Sequence, residues 1–184
     1  SVMMFTKMGV PNGEMAFFTS LLYLPWMIKP FWSPFVDIFK TKRWWTVTMQ
    51  VIMSIAFLLL VLTLPTPSVE QITSGTTPMS MFMVTLILFI ITAFASATHD
   101  IAADGFYILG LSEEKQSFFS GIRNTFYRIA TVFSSGILVM LASRLCDHFG
   151  EKSYAWSATF AVTALIMAIL YIYHRRTLPE PESD

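Results

Sequence analysis

The sequence predicts an all-α membrane protein, and three observations predict it. First, 54% of its 184 residues are hydrophobic and 13% are charged, against about 45–50% and about 25% in a soluble domain. Mean hydropathy is correspondingly high, at +0.59. Second, Trp44–Leu64, Met79–Thr98 and Tyr154–Tyr173 hold no charged residue. Each approaches the ~20 residues that cross ~30 Å of hydrocarbon as a helix. Third, one hairpin, Ser96–Arg128, sets His99, Asp100, Asp104, Arg123 and Arg128 beside apolar runs. A charge in hydrocarbon costs several kcal/mol, so such groups face a bundle interior, pair with each other or line a hydrated path.

The elements follow in order within a single bundle over 1–176. Residues 1–10 are apolar but too short to span, and read as the last turns of a truncated first helix. Pro11-Asn12-Gly13 is a turn signature, since Pro presets φ and Asn-Gly accepts positive φ. A second helix is predicted over 14–38, kinked at Pro25, Pro30 and Pro34; a bundle tolerates such kinks because neighbours re-satisfy the freed backbone groups. The loop Phe39–Arg43 is basic, and Trp44 and Trp45 follow at interface depth, where indole rings favour the headgroup zone. The third helix covers 45–64. Pro65–Pro78, rich in Pro, Thr and Ser, reads as an exposed loop.

The fourth helix is predicted over 79–111, with His99, Asp100 and Asp104 toward its polar end. After the charged connection Ser112–Lys115, a fifth helix covers 117–143, with Gly121 and Gly136 as points of close helix approach. Arg144–Lys152 is a mixed-charge loop. The sixth helix spans 153–173 and stops at His174-Arg175-Arg176. Residues 177–184, with an acidic excess, read as a linker or disordered tail. Alternating loops gather Lys40, Lys42, Arg43, Lys115, Arg175 and Arg176 on one side, against Lys7, Arg144 and Lys152 on the other. The positive-inside rule makes the first side cytoplasmic.

Several function classes are disfavoured. The formal net charge is zero, so no basic face is available to neutralise the phosphates of a nucleic acid. The single cysteine, Cys146, excludes an internal disulfide and a multi-Cys metal site; it reads as a small filler near a helix end. The N-terminus lacks a basic region followed by an apolar core, so no cleavable signal is visible. No histidine or acid–histidine spacing suits a metal, and no nucleophile–base pair suggests an enzyme. No cofactor is called for.

What remains is the polar seam. Asp100 and Asp104 are four apart, so their carboxylates share a helix face. Two acids so placed repel when both are ionised, which makes a proton easy to hold. His99 is a further candidate proton carrier, because imidazole titrates near neutrality. Counting inward from the shared loop, Asp104 lies level with Arg123, and Asp100 nearer the depth of Arg128. Arg128 is the deeper candidate substrate contact; Arg123, nearer the loop, also suits a phosphate or headgroup. Lys29 sits deep in the second helix and points inward, to an anionic substrate group or to an Asp. The bland alternative is that these pairs only lock helix ends.

Met27–Arg43, MIKPFWSPFVDIFKTKR, resembles the major facilitator superfamily, and more narrowly its muropeptide permease (AmpG-type) and acetyl-CoA transporter branch. That branch carries Lys followed by Phe-x-Trp-Ser-Pro-x-x-Asp, here Lys29, Phe31, Trp32, Ser33, Pro34 and Asp37. Asp100 and Asp104 within Ser96–Gly105, and Tyr127-Arg128, are the second and third matches. The resemblance covers helices two to six of an N-terminal six-helix bundle. The superfamily's usual Gly-x-x-x-Asp-Arg-x-Gly-Arg-Arg departs here: Ser33 stands for the first Gly and Ile38 for the Arg, while Lys40, Lys42 and Arg43 keep the basic character.

The resemblance implies a gating role for Asp37, Lys40, Lys42 and Arg43; substrate contact is the expectation for Lys29, Trp32, Arg128 and Arg123. It implies substrate binding between two six-helix halves near the bilayer midplane, with the C-terminal half as partner. The expectation is half of a proton-coupled importer of cell-wall muropeptides, or a related amphiphilic anion, in a bacterial inner membrane. A membrane-embedded assembly subunit without transport activity of its own is the alternative.

Overall fold

The computed structural model describes residues 4, 12–64, 79–149 and 152–179, and among these every regular element is helical. The predicted loop Pro65–Pro78, nearly all of the first helix over 1–10 and the end of the tail lie outside the described residues. Over 14–38, where the sequence predicts one kinked helix, the chain is helical in three pieces: α1 (Asn12–Leu21), α2 (Leu24–Met27) and α3 (Lys29–Ile38). Prolines open the second and third pieces, Pro25 in α2 and Pro30 in α3. At a first-turn position the missing N–H would have had no helical partner anyway. Pro34 stays inside α3.

Lys40 then takes a positive φ of 64° and turns the chain. Thr41 caps α4 (Lys42–Thr63), its Oγ1 accepting from the Trp44 N–H at 3.1 Å. α5 (Met79–Gly110) and α6 (Glu113–Val132) follow. The predicted helix over 117–143 is one part of a longer run. α6 passes through a π-helical turn, Phe133–Ile137, into α7 (Leu138–Phe149). At that turn the Ser134 and Ser135 hydroxyls both donate to the Thr131 carbonyl, at 3.1 and 2.6 Å. Such side-chain competition for a helical carbonyl favours a local loosening of the ladder. α8 (Lys152–Thr177) closes the order.

Among the described residues, four helical runs reach membrane-spanning length: Lys42–Thr63, Met83–Gly110, Glu113–His148 and Tyr154–Thr177. α4 lies between α5 and α8, α8 also packs on α7, and α3 lies against α5. Leu60, Leu86, Phe89, Ala142 and Trp156 meet in the largest core cluster, with Phe57 stacked on Phe160 at 6.1 Å. The buried Ala93, Ala95, Ala97 and Ala102 of α5 let neighbouring backbones come close, which is how helices associate where lipid removes the hydrophobic drive. Buried hydroxyls are satisfied locally: Thr46 and Thr159 each donate to the carbonyl four residues back at 2.8 Å.

The outer surface is apolar, with Phe31 87% exposed and Met27 79%. Hydrocarbon imposes no penalty for that; water would. The expected close approaches at Gly121 and Gly136 are not met, since a Cβ at either would touch nothing within 4 Å. Among the described glycines the tight one is Gly105, where a Cβ would stand 2.8 Å from the Lys42 Cε.

Candidate functional site

Three helices converge on one charge cluster. α5 supplies Asp100 and Asp104 from successive turns, α3 supplies Lys29, and α6 supplies Arg123. The Lys29 Nζ donates to an Asp100 carboxylate oxygen in a short contact and lies 3.8 Å from Asp104. Arg123 makes a short ion pair with Asp104 and reaches within 3.9 Å of Asp100. Its guanidinium also sits over the Tyr107 ring, 5.6 Å from the centroid. Two acids face two cations, so the cluster is neutral as a unit. None of the four is deeply buried; their side chains are 24–49% exposed.

A cavity of about 440 Å³ opens beside this cluster between α3 and α5, lined among others by Lys29, Ser33, Asp37, Asp104 and Gly105. Lys29, Ser33 and Asp37 are four apart, the spacing that puts them on one helical stripe. At the cavity's Asp37 wall, the buried Lys42 pairs with Asp37 at 2.9 Å and reaches the Val36 carbonyl at 3.4 Å. Gly105 is what leaves room for the Lys42 stem along α5. The basic loop therefore divides its cations. Lys42 closes on Asp37, Arg43 donates to the Arg175 carbonyl of α8 at 3.0 Å, and Lys40 is exposed.

Other expected placements differ. Asp100 pairs with Lys29 rather than approaching Arg128, and no ion pair or hydrogen bond of the Arg128 side chain is found among the described residues; Arg128 is exposed on α6. The reason is helical periodicity: residues five apart point about 140° away from each other at 3.6 per turn, so Arg123 and Arg128 cannot both face α5. Trp32 is off the cavity. It packs against Val36, Ile101 and Ala102 and meets Phe94 at 5.4 Å, with its Nε1 buried and unpartnered. Lys29, left open between substrate and Asp, pairs here with the acids.

His99 turns from the seam toward α4. The Gln50 amide Nε2 lies 3.1 Å from His99 Nε2 and 2.7 Å from His174 Nδ1. An amide NH₂ donating to both makes each ring an acceptor at that nitrogen. The Gln50 Oε1 is buried without a partner, and turning the amide over would let it accept from two ring N–H groups instead. Gln50 and His174 were not among the expected site residues. One signal was readable: Gln50 is the sole amide in the charge-free run Trp44–Leu64.

Spanning helices, an ion-paired seam that ties two of them, α5 and α6, to the shorter α3, and a cavity at its flank are the features of an integral membrane protein of the transporter class. The chain belongs to the Major Facilitator Superfamily, whose family model matches residues 2–184. It is similar to "Putative transporter AmpG 4" of Rickettsia conorii, at 28% identity over 158 residues, covering 82% of this chain and 33% of that protein. A Rickettsia felis protein of the same name matches at 28% over 153 residues, with the same coverage. The chain thus spans about a third of the length of the curated relatives it matches. No solved structure matches it.

Proposed function

We propose that the chain is half of a secondary active transporter that couples proton movement to import of cell-wall muropeptides or a related amphiphilic anion. The observation that carries this reading is the neutral Lys29–Asp100–Asp104–Arg123 cluster, two of whose members, Lys29 and Asp104, line a cavity. An anionic group entering beside Lys29 competes with Asp100 for the same ammonium. The displaced carboxylate, beside hydrocarbon, takes up a proton rather than stay ionised without a partner. Substrate entry and proton loading are then one exchange of ion pairs. The relatives' shared name supports the transporter part of this reading; the substrate class rests on the resemblance at Lys29–Asp37.

In this reading Asp37 and Lys42 hold the cavity's wall shut, and the end carrying Arg43, Lys115 and Arg175 faces the cytoplasm of a bacterial inner membrane. The test is uptake of muropeptides by the full-length protein in proteoliposomes, with and without an imposed pH gradient. Asp100→Asn and Asp104→Asn should each abolish gradient-dependent accumulation. Unchanged uptake in both variants would remove the proton role. Because every member of the cluster already has an opposite charge, a purely structural lock in a non-transporting subunit is the competing reading. It predicts that the full-length protein moves no muropeptide at all.

A further inference from the structure

A second cavity, of about 460 Å³, lies between α4 and α8 at the basic end of the bundle, lined by Thr41, Arg43, Trp44, Thr48, Tyr171 and Arg175 among others. Nothing in the transport reading uses it. Its polar lining is a group of donors held beside one another by hydrogen bonds. The Arg43 guanidinium donates to the Arg175 carbonyl at 3.0 Å, which fixes the two arginines as neighbours. Arg175 in turn donates to the Tyr171 hydroxyl at 2.9 Å and sits over that ring, 6.0 Å from its centroid. Among the described residues, two guanidiniums, two threonine hydroxyls and a phenol line the space, with no carboxylate.

We infer that this cavity binds the phosphodiester headgroup of an anionic phospholipid. Planar guanidiniums match phosphate oxygens with paired N–H donors, and basic pockets between spanning helices are sites for such headgroups. The lipid source, rather than a free anion, is argued from what surrounds the donors. Trp44 is 44% exposed at the mouth, at the helix end where indole rings mark the membrane interface. From Trp44 and Thr48 the same face of α4 continues at helical spacing through Val51 to Ile55 and Leu58. Ile55 and Leu58 are 52% and 54% exposed, so an acyl chain attached to a headgroup in the cavity has an apolar track to follow. The inference stands apart from the substrate of the central cavity and does not require transport.

The chain, purified in a neutral detergent, is offered phosphatidylglycerol or phosphatidylcholine and the retained lipid is counted by native mass spectrometry. Phosphatidylglycerol should be retained on the order of thirtyfold better, taking about fivefold per cation for two cations. Arg43→Gln/Arg175→Gln should bring it down to the phosphatidylcholine level at unchanged helical content. Lys115→Gln/Arg176→Gln, which removes two cations of the same end outside the cavity, should leave the preference in place. Equal retention of the two lipids by the unaltered chain would overturn the proposal without reference to any variant. So would equal loss in both double variants, which would mean a diffuse surface charge. Full displacement of phosphatidylglycerol by inorganic phosphate at low millimolar concentration would make it a free-anion site and overturn the lipid assignment.

Discussion

The α4–α5–α8 side of the bundle and the α6–α7 arm are both of membrane-spanning length, yet they are held by different forces. Of the apolar stretch in α5, 44% is buried within the protein; of that in α6–α7, 6% is. α4 and α5 meet through alanines, Leu60, Met53 and Phe89, a contact of shape. α6 is exposed along almost its whole length and is fastened at its start by polar bonds. Gln116 donates to the Leu111 carbonyl at 2.8 Å, the Tyr107 hydroxyl donates to the Gln116 carbonyl, and Arg123 pairs with Asp104. Packing fixes one region; in the other, polar bonds position the start of α6, and packing enters only where α7 meets α8. The proton and substrate chemistry proposed for the cluster would therefore act on the less firmly held element.

Core truncation should break this contrast most plainly. Leu60 is fully buried between α4 and its neighbours. Leu60→Ala should cost about 2 kcal/mol, near the low end of such changes in water. The transfer term shrinks when the outside is also apolar, while the lost dispersion contacts remain. Val132→Ala, at a site 66% exposed, should cost under about 0.5 kcal/mol. Thermal unfolding in detergent followed by circular dichroism reads both. Comparable losses would mean that α6 is as tightly covered as α4.

A smaller effect should come from the fastening itself. Arg123→Gln removes the guanidinium from a pair whose members are 49% and 38% exposed. Its cost should be about 1 kcal/mol, between the value of exposed pairs and that of buried ones. Hydrogen exchange localises the change: amides over 113–132 should exchange faster, while those over 42–63 keep their protection. Uniform acceleration across both regions would show that the arm and the core are one cooperative unit.

Much of this contrast was legible beforehand, and the illegible part has a physical reason. The apolar runs marked the spanning helices, and membership of the Major Facilitator Superfamily agrees with the motif at Lys29–Asp37. Pro25 and Pro30 announced breaks that a kinked-helix reading understated. The shared face of Asp100 and Asp104 followed from spacing alone. The partner of Asp100 did not, because depth along a helix was counted and direction around it was not; the five-residue step from Arg123 to Arg128 already forbade a common face. Trp32 and Lys29 are three apart on α3, yet only the packing of Val36 and Ile101 decides which stripe meets α5. The Gln50–His174 contact joins residues 124 positions apart, and needs α8 laid against α4 before it can be seen.

The smallest expected effect lies at the turn between the two halves of the Asp37–Lys42 contact. Lys40 adopts φ 64°, a left-handed conformation that costs a side-chain-bearing residue roughly 1–2 kcal/mol. Glycine avoids that strain but loses about 0.5–1 kcal/mol through the greater freedom of its unfolded chain. The balance favours Lys40→Gly by about 0.5 kcal/mol, and the glycine of the superfamily pattern falls on this position by count from Ser33. Lys40→Ala separates conformation from charge, since alanine keeps the Cβ and removes the ammonium. Unfolding in detergent should show a gain for Gly and none for Ala. Equal gains would place the effect in the removed charge among Lys42 and Arg43, and leave the backbone with no part in it.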